Sequence, residues 1–212
     1  MEKIRFYFFW LAVFMIGVFV LQNVLTSYGF TESYALNFSA IDNFEVWRFV
    51  TSIFLHGSLS HLIYNLFALL LFGFILERLI GSNKFLFVFL SSGIIANLIA
   101  VNFYNSSLGA SGAIYGIIGA IIILRPMMMV WAFGLMIPMF VAGILWVIGD
   151  VMGVFGFGDA GVGNIAHLGG IFVGLLLGIL FRFISFQKKR INEKIRIPED
   201  VVNSWERVYM KN

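Results

Sequence analysis

The sequence predicts an all-α membrane protein, a bundle of six transmembrane helices with both termini on the cytoplasmic side. Of its 212 residues, 60% are hydrophobic and 12% are charged, whereas a soluble domain carries about 25% charged residues. The charged residues flank long apolar runs instead of interrupting them. Basic residues also concentrate at one set of helix ends, and this bias sets the orientation of a membrane protein.

Five uncharged runs define the helices. Their lengths and bounding residues are 26 (Arg5 to Glu32), 28 (Arg48 to Glu77), 40 (Lys84 to Arg125), 24 (Arg125 to Asp150) and 22 (Asp159 to Arg182). A transmembrane helix needs roughly 20 apolar residues, so the run of 40 contains two helices, separated by the polar turn at 105–109. The six predicted helices span residues 6–26, 54–77, 85–104, 110–125, 127–148 and 163–184.

The charges between these helices predict the topology. One side collects Lys3, Arg5, Arg78, Lys84, Arg125, Arg182, Lys188, Lys189 and Arg190, whereas the other has only Arg48 beside Glu32, Asp42, Glu45, Asp150 and Asp159. Short basic loops face the cytoplasm, so both termini are predicted to be cytoplasmic and the loop 27–53 external. We expect a membrane core at 1–187 and a charged cytoplasmic tail at 188–212, with a short helix beginning at Pro198.

The same composition narrows the classes of partner and cofactor. The net charge is +3, but a nucleic-acid surface needs a basic stripe, and here the basic residues lie at the ends of apolar runs. Nucleic acid is therefore not a predicted partner. Because the chain has no cysteine, it has neither a disulfide framework nor a thiolate metal site. We predict no metal and no cofactor.

Polar side chains inside apolar spans are expensive and mark candidate functional sites. His61 lies 16 residues before Glu77 on the second predicted helix, which is ~24 Å along a helix. Ser111 lies 14 residues before Arg125 (~21 Å), and His167 lies 15 before Arg182 (~22 Å). These helices all run inward, so the three polar groups share one depth below the outer surface.

Residue spacing indicates what this layer could do. His61 and Asn65 share one helix face, as do Ser111 and Tyr115, since each pair is four residues apart. A serine hydroxyl needs a base to become a nucleophile, and a neutral histidine such as His167 is suited to that task. The free N–H groups at the start of the fourth helix favour an oxyanion near Ser111, and Asn65 and His61 are further candidate donors. Because the predicted spans contain no Asp or Glu at this depth, we expect a Ser–His dyad.

Small residues predict how these helices meet. Gly170, Gly174 and Gly178 follow His167 on one face of the sixth helix, and the fourth helix carries Gly112, Gly116 and Gly119 in a similar way. Glycines at this spacing allow transmembrane helices to approach closely. A short serine could then reach a histidine on the next helix.

Five short motifs are spread over residues 47–178: Trp47-Arg48, His61 with Asn65, Gly73-x-x-x-Glu77-x-x-x-Gly81, Gly109-Ala110-Ser111-Gly112, and Ala166 to Gly174. In this order they resemble the motifs of the rhomboid intramembrane serine proteases. Gly109-Ala110-Ser111-Gly112 is similar to the family's GxSG, and the segment from Ala166 to Gly174 resembles its AHxxGxxxG. His61 with Asn65 matches its HxxxN, Trp47-Arg48 its first-loop pair, and Gly73-x-x-x-Glu77-x-x-x-Gly81 a further helix motif.

The resemblance implies a role for each matched residue in a six-helix rhomboid-like core. Ser111 would be the nucleophile and His167 the general base, and Asn65, His61 and the Ser111 N–H would form the oxyanion hole. Tyr115 would stack on the His167 ring in place of a triad aspartate. His56 would be structural or retain water, and Trp47 and Arg48 would be structural. Gly112, Gly170 and Gly174 would provide close packing.

The resemblance also implies where the protein acts. The family cuts transmembrane segments of other proteins within the lipid bilayer. We therefore expect a multi-pass protein of a prokaryotic cell membrane whose active site opens to the extracytoplasmic side. Substrates would enter laterally, with the fifth helix, kinked at Pro138, as gate. The glycine-rich loop before the sixth helix would act as cap, at Gly153, Gly156, Gly158, Gly161 and Gly163. The sequence does not predict an oligomeric state.

Two other classes of function remain open at this stage. One is a haem-binding electron carrier with His61 and His167 as axial ligands, although Ser111 and Asn65 would crowd that site. The other is a transporter or scaffold, for which we would expect an internal repeat and, for a proton path, a buried carboxylate. The predicted spans show neither feature.

Overall fold

The computed structural model describes residues 4–157, 163–195 and 199–210. Among these residues α-helix predominates, and two short antiparallel strand pairs complete the regular structure. The longer helices are α1 (Tyr7–Val24), α2 (Leu59–Ile80), α3 (Ser82–Ala100), α4 (Ser111–Leu124), α5 (Met139–Val154), α6 (Asn164–Ile195) and α7 (Glu199–Tyr209).

Four of the helices in the described ranges are long and apolar enough to cross a membrane. They are α1, α2, α3 and the part of α6 that spans Asn164–Gln187, whereas α4 and α5 are shorter apolar helices. The chain is therefore a mostly helical membrane protein, and its two strand pairs depart from the predicted all-α fold. The count of six spans and the cytoplasmic position of both termini stay predictions.

Helix α2 begins five residues later than predicted because the chain first makes a separate 3-10 turn at Ser52–Phe54. The hydroxyl of Ser58 then accepts the N–H of His61 at 3.1 Å, which caps the first turn. A π-helical segment lies in the middle, at Leu69–Gly73. The helix ends at Gly81, whose φ of 84° suits a residue without a Cβ.

The loop between α1 and α2 is folded. It contains the short helices Thr26–Tyr28, Phe30–Tyr34, Ser39–Asp42 and Arg48–Thr51. Its strand β1 (Leu36–Asn37) pairs antiparallel with β2 (Ser106–Ser107), which precedes α4. The Gly109 N–H also donates to the Ser52 carbonyl at 2.9 Å. The loop therefore braces the backbone that leads into Ser111.

The predicted fifth helix is wrong in its first half. Residues 127–138 contain a hairpin of β3 (Met129–Ala132) and β4 (Leu135–Pro138), and α5 begins only at Met139. Phe133 and Gly134 turn the hairpin with φ of 55° and 77°, as a two-residue hairpin loop requires. Pro138 therefore precedes α5 and does not kink it, because proline suits a helix start. The helix consequently extends past 148, to Val154.

Helix α4 lies at the centre of the described core, with nine of its residues buried. A Cβ at Gly170 would overlap the Gly112 carbonyl oxygen, and one at Gly174 would overlap that of Gly116. On the other side, a Cβ at Gly112 would come within 2.7 Å of the Ala96 Cβ on α3. Helices α4 and α6 therefore meet backbone to backbone.

The chain divides into two compact units, 1–179 and 180–212. The second unit contains the end of α6 and the tail helix α7, so the short helix predicted in the tail is present. Pro198, where that helix was predicted to begin, lies outside the described residues, as do Gly158 and Gly161 of the predicted cap.

Candidate active site

The structure brings Ser111 and His167 into direct contact. Ser111 is the first residue of α4, and His167 lies in the first turn of α6. The Ser111 Oγ is 2.8 Å from the His167 Nε2, although the residues are 56 positions apart. The close approach at Gly112 and Gly170 makes this contact possible, since a larger side chain would separate the two helices.

A carboxylate completes the arrangement, and sequence reasoning missed it. Asp150 Oδ1 lies 2.8 Å from the other ring nitrogen of His167, Nδ1. The expectation that no acidic residue lies at this depth was therefore wrong, as was the placement of Asp150 in an external loop. The cause is the late start of α5, which moves Asp150 from beyond the helix into its last two turns. Only 4% of its surface is exposed.

Tyr115 lies one turn below Ser111 on α4 and packs against the same histidine. Its ring is stacked on that of His167, with centroids 4.2 Å apart and planes 11° from parallel. The stack restricts rotation of the imidazole out of its plane. His167 is thus held by a ring on one face and by polar groups at both nitrogens.

The proposed oxyanion donors lie on α2, beside the loop that precedes Ser111. Asn65 is buried, and its Nδ2 donates one hydrogen to the His61 carbonyl at 3.1 Å. The His61 ring packs against Gly109, where a Cβ would lie 2.8 Å from Nε2. Ser111 begins α4, so its N–H belongs to the first turn, whose donors lack intrahelical acceptors.

These groups line one cavity of about 960 Å³. Ser111, His167, His61 and Asn65 all face it, together with aromatic residues of α2 and α5. Between these two helices, Phe72 and Trp146 make an edge-to-face contact with centroids 5.8 Å apart. The cavity therefore joins the polar groups to an apolar wall that lies between α2 and α5.

His56 lies next to this cavity, and its environment includes a residue that sequence reasoning did not identify. Gln22 of α1 accepts the His56 N–H at 3.0 Å and donates to the His56 carbonyl at 3.3 Å. The His56 ring is 2% exposed and edge-on to His61 at 5.1 Å. Within the described part of the chain, neither ring nitrogen of His56 has a hydrogen-bond partner. The signal available in the sequence was the polar pair Gln22-Asn23 near the end of an otherwise apolar helix.

Arg48 holds the first loop together through its side-chain contacts. The Arg48 Nη1 donates to the Glu32 and Ala35 carbonyls at 2.6 and 2.8 Å. Its Nε pairs with Glu45 at 2.5 Å. Arg48 is buried, whereas Trp47 is about half exposed. The arginine therefore links three segments of the loop through hydrogen bonds.

Comparison with known proteins identifies the family. A family model for the rhomboid domain matches residues 43–183. The chain is 32% identical over 155 residues to a putative rhomboid protease, YdcA, of Bacillus subtilis, covering 70% of this chain and 72% of that protein. It is 35% identical to the rhomboid protease GluP of the same organism, over 64% of this chain and 26% of GluP.

A third relative has a similar relationship. The rhomboid protease GlpG of Salmonella paratyphi A is 28% identical over 68% of this chain and 51% of its own length. The chain therefore spans about half or less of two of these three relatives. The matched domain covers about two thirds of the chain and includes Ser111, His167, Asp150 and Tyr115. This chain belongs to the rhomboid family of serine proteases.

Proposed function

We propose that this protein is an intramembrane serine endopeptidase that cuts peptide bonds in or next to transmembrane segments of other membrane proteins. The contact between Ser111 Oγ and His167 Nε2, at 2.8 Å inside a cavity walled by membrane helices, carries the proposal. A neutral imidazole at this distance accepts the hydroxyl proton, which makes the serine a nucleophile.

The reaction proceeds in two stages. Ser111 Oγ attacks the substrate carbonyl carbon while its proton passes to His167 Nε2 and the carbonyl electron pair moves onto oxygen. The C–N bond then breaks as His167 returns the proton to the leaving amine. Water, deprotonated by His167, next attacks the acyl ester, and the proton returns to Ser111 Oγ as the acid leaves.

The developing oxyanion needs donors that are already in position. One hydrogen of the Asn65 amide binds the His61 carbonyl, so the second is available to the substrate oxygen. The Ser111 N–H and the His61 ring are the other donors that we assign to it. Removing one such donor costs about 10²- to 10³-fold in kcat in serine proteases.

Helix lengths support a site below the outer surface. Helix α4 has 14 residues, which is ~21 Å of helix, against a hydrocarbon core of ~30 Å. If α4 ends at the cytoplasmic side near Arg125, then Ser111 at its start lies several ångströms within the bilayer. Combined with the charge bias of the loops, this favours a prokaryotic cell-membrane protein with an extracytoplasmic active site.

Substrate would reach the serine from the side. The cavity runs from Ser111 to the contact between Phe72 on α2 and Trp146 on α5. Parting these two rings opens the apolar wall toward lipid, where a transmembrane segment can enter without passing through water.

The contacts of His167 do not favour the alternative function, a haem-binding electron carrier. Both ring nitrogens of His167 lie at hydrogen-bond distance from protein groups, Ser111 Oγ and Asp150 Oδ1. An axial ligand needs one free ring nitrogen, so iron binding would require one of these bonds to break.

The test is cleavage of a purified single-span substrate after reconstitution of both proteins into liposomes. Ser111→Ala and His167→Ala should abolish cleavage and leave the thermal unfolding midpoint nearly unchanged. Ser91→Ala is the matched control, because Ser91 is a membrane-helix serine whose hydroxyl bonds only to carbonyls of its own helix. It should cut like the wild type. Wild-type cleavage by Ser111→Ala would refute the proposal.

A further inference from the structure

Asp150 is a buried acid whose position is not explained by the energetics of its own helix. It lies four residues before the end of α5, where the partial negative charge of the helix terminus disfavours a carboxylate. It is 4% exposed, and burying an acid without compensation costs several kcal/mol. Its location must therefore be stabilised by a contact outside its own helix.

That contact is His167. Asp150 Oδ1 lies 2.8 Å from His167 Nδ1, and within the described residues Oδ2 has no hydrogen-bond partner. Among the described residues, Glu77 is the other buried acid of the membrane core, and it behaves differently. Glu77 accepts the backbone N–H groups of Tyr7 and Phe8 and the hydroxyl of Ser82, so it ties α1 and α3 to α2. Asp150 instead contacts His167, the residue next to the nucleophile, and interacts with the side chain of Tyr115.

The two contacts of His167 fix the position of its proton. Ser111 must donate to Nε2 for the serine to become a nucleophile, so Nε2 carries the lone pair and Nδ1 carries the hydrogen. A carboxylate at Nδ1 accepts that hydrogen and stabilises this tautomer. The stack with Tyr115 restrains the ring plane but favours neither tautomer. On the side of the ring away from Ser111, Asp150 is the group that favours a hydrogen on Nδ1.

We propose that Asp150 is the positioning residue of the site, so that the protein operates a Ser111–His167–Asp150 relay. The inference rests on the function proposed above. Asp150 holds the Nδ1–H tautomer before the reaction, and it stabilises the imidazolium after Nε2 takes the serine proton. The attraction between carboxylate and ring increases as the ring becomes charged, so Asp150 stabilises the transition state more than the ground state. The proton stays on His167 and returns to the leaving amine.

The kinetic test compares isosteric changes at the two buried acids. Asp150→Asn removes the charge and lets the amide donate to Nδ1, which favours the unproductive tautomer. We expect kcat to fall by about 10²- to 10⁴-fold, as in soluble triads, with KM unchanged. Glu77→Gln is the matched control and should lower the unfolding midpoint with little change in kcat. Asp150→Glu should recover part of the loss, because it restores a carboxylate.

These outcomes separate the inference from the proposed function. If Asp150→Asn cuts like the wild type while Ser111→Ala is inactive, Asp150 is not the positioning residue and the protease proposal stands. A fall in kcat that Glu77→Gln reproduces to the same extent, at equal loss of stability, also overturns the inference. A wild type that cuts no transmembrane substrate refutes the proposed function, and a spectroscopic test then decides the role of Asp150.

That test reads the tautomer directly. The chain has 3 histidines, so protein labelled with ¹⁵N-histidine gives few ring signals, and His167→Ala identifies those of His167. In mildly alkaline buffer, the wild type should show a protonated Nδ1 and a bare Nε2. Asp150→Asn should reduce or reverse this preference. A wild-type His167 with a bare Nδ1, or a spectrum unchanged by Asp150→Asn, would overturn the inference.

Discussion

Replacing Gly109 with alanine tests the geometry of the oxyanion region. Gly109 has a φ of +127°, and a Cβ there would lie 2.7 Å from the His61 Cε1. An ordinary contact starts near 3.4 Å, so the His61 ring would have to move by about 0.7 Å. Misplacement of a catalytic group by about 1 Å can cost 10²-fold. We therefore expect Gly109→Ala to lower kcat by ~10- to 100-fold.

The same change also strains the backbone, and Gly134→Ala controls for that effect. A non-glycine residue forced to such a φ costs ~1–3 kcal/mol. Gly134 in the hairpin turn also has a positive φ, +77°, but a Cβ there would meet nothing within 4 Å. Gly134→Ala should therefore lose stability without losing kcat.

Unfolding can be followed by the fluorescence of the 5 tryptophans, and turnover by a fluorogenic single-span substrate. Adding His61→Ala to Gly109→Ala should recover the stability lost to the clash without recovering kcat. A Gly109→Ala variant as stable and as fast as the wild type would refute the placement of His61 against this loop.

Two further predictions concern the gate and the first loop. Phe72→Ala removes the edge-to-face contact with Trp146, which is worth about 0.5–1.5 kcal/mol. It should therefore raise the initial cleavage rate of a transmembrane substrate by ~2- to 10-fold. A cleavage rate that falls would exclude this contact as a gate. Burial, aided by neighbouring His61, lowers the pKa of His56 from 6.5 to about 4. Between these values the unfolded chain binds a proton that the folded chain does not, so stability falls as the pH decreases from 6.5 to 4. His56→Gln should flatten this part of the stability profile, measured as the unfolding midpoint against pH, and identical profiles for the two proteins would contradict the assignment.

Sequence reasoning located Ser111 and His167 because charged residues mark the helix ends. With both ends known, a residue count gives depth, and glycines at helical spacing indicate where two helices meet. Asp150, which contacts the other ring nitrogen of His167, could not be found in this way. Its helix was placed from an uncharged run alone, and such a run does not distinguish a continuous helix from a hairpin followed by a helix.

Local signals for that boundary were present in the sequence. Phe133-Gly134 separates two apolar four-residue segments, and Pro138 stands immediately before α5. Taken together, they favour a hairpin and a later helix start. That shift places Asp150 inside α5, within reach of His167 on α6. The error in one helix boundary therefore concealed the contact between Asp150 and His167.

The folded loop between α1 and α2 could not be predicted from composition either. Its short helices and its β1–β2 pairing depend on contacts such as those of Arg48 with the Glu32 and Ala35 carbonyls. These partners are 13 to 16 residues away, and no periodic pattern connects them. The Trp47-Arg48 pair indicated a structural role, but not the carbonyls that the arginine would bind.

The most direct test of the central claim is the chemical identification of the nucleophile. The purified protein is treated with a fluorophosphonate, which forms a covalent bond with an activated serine, and the modified residue is located by peptide mass spectrometry. We predict a single adduct on Ser111 that disappears in His167→Ala and persists in Ser91→Ala. A protein that cleaves its substrate with Ser111 unmodified, or that carries the adduct on another serine, would contradict this account.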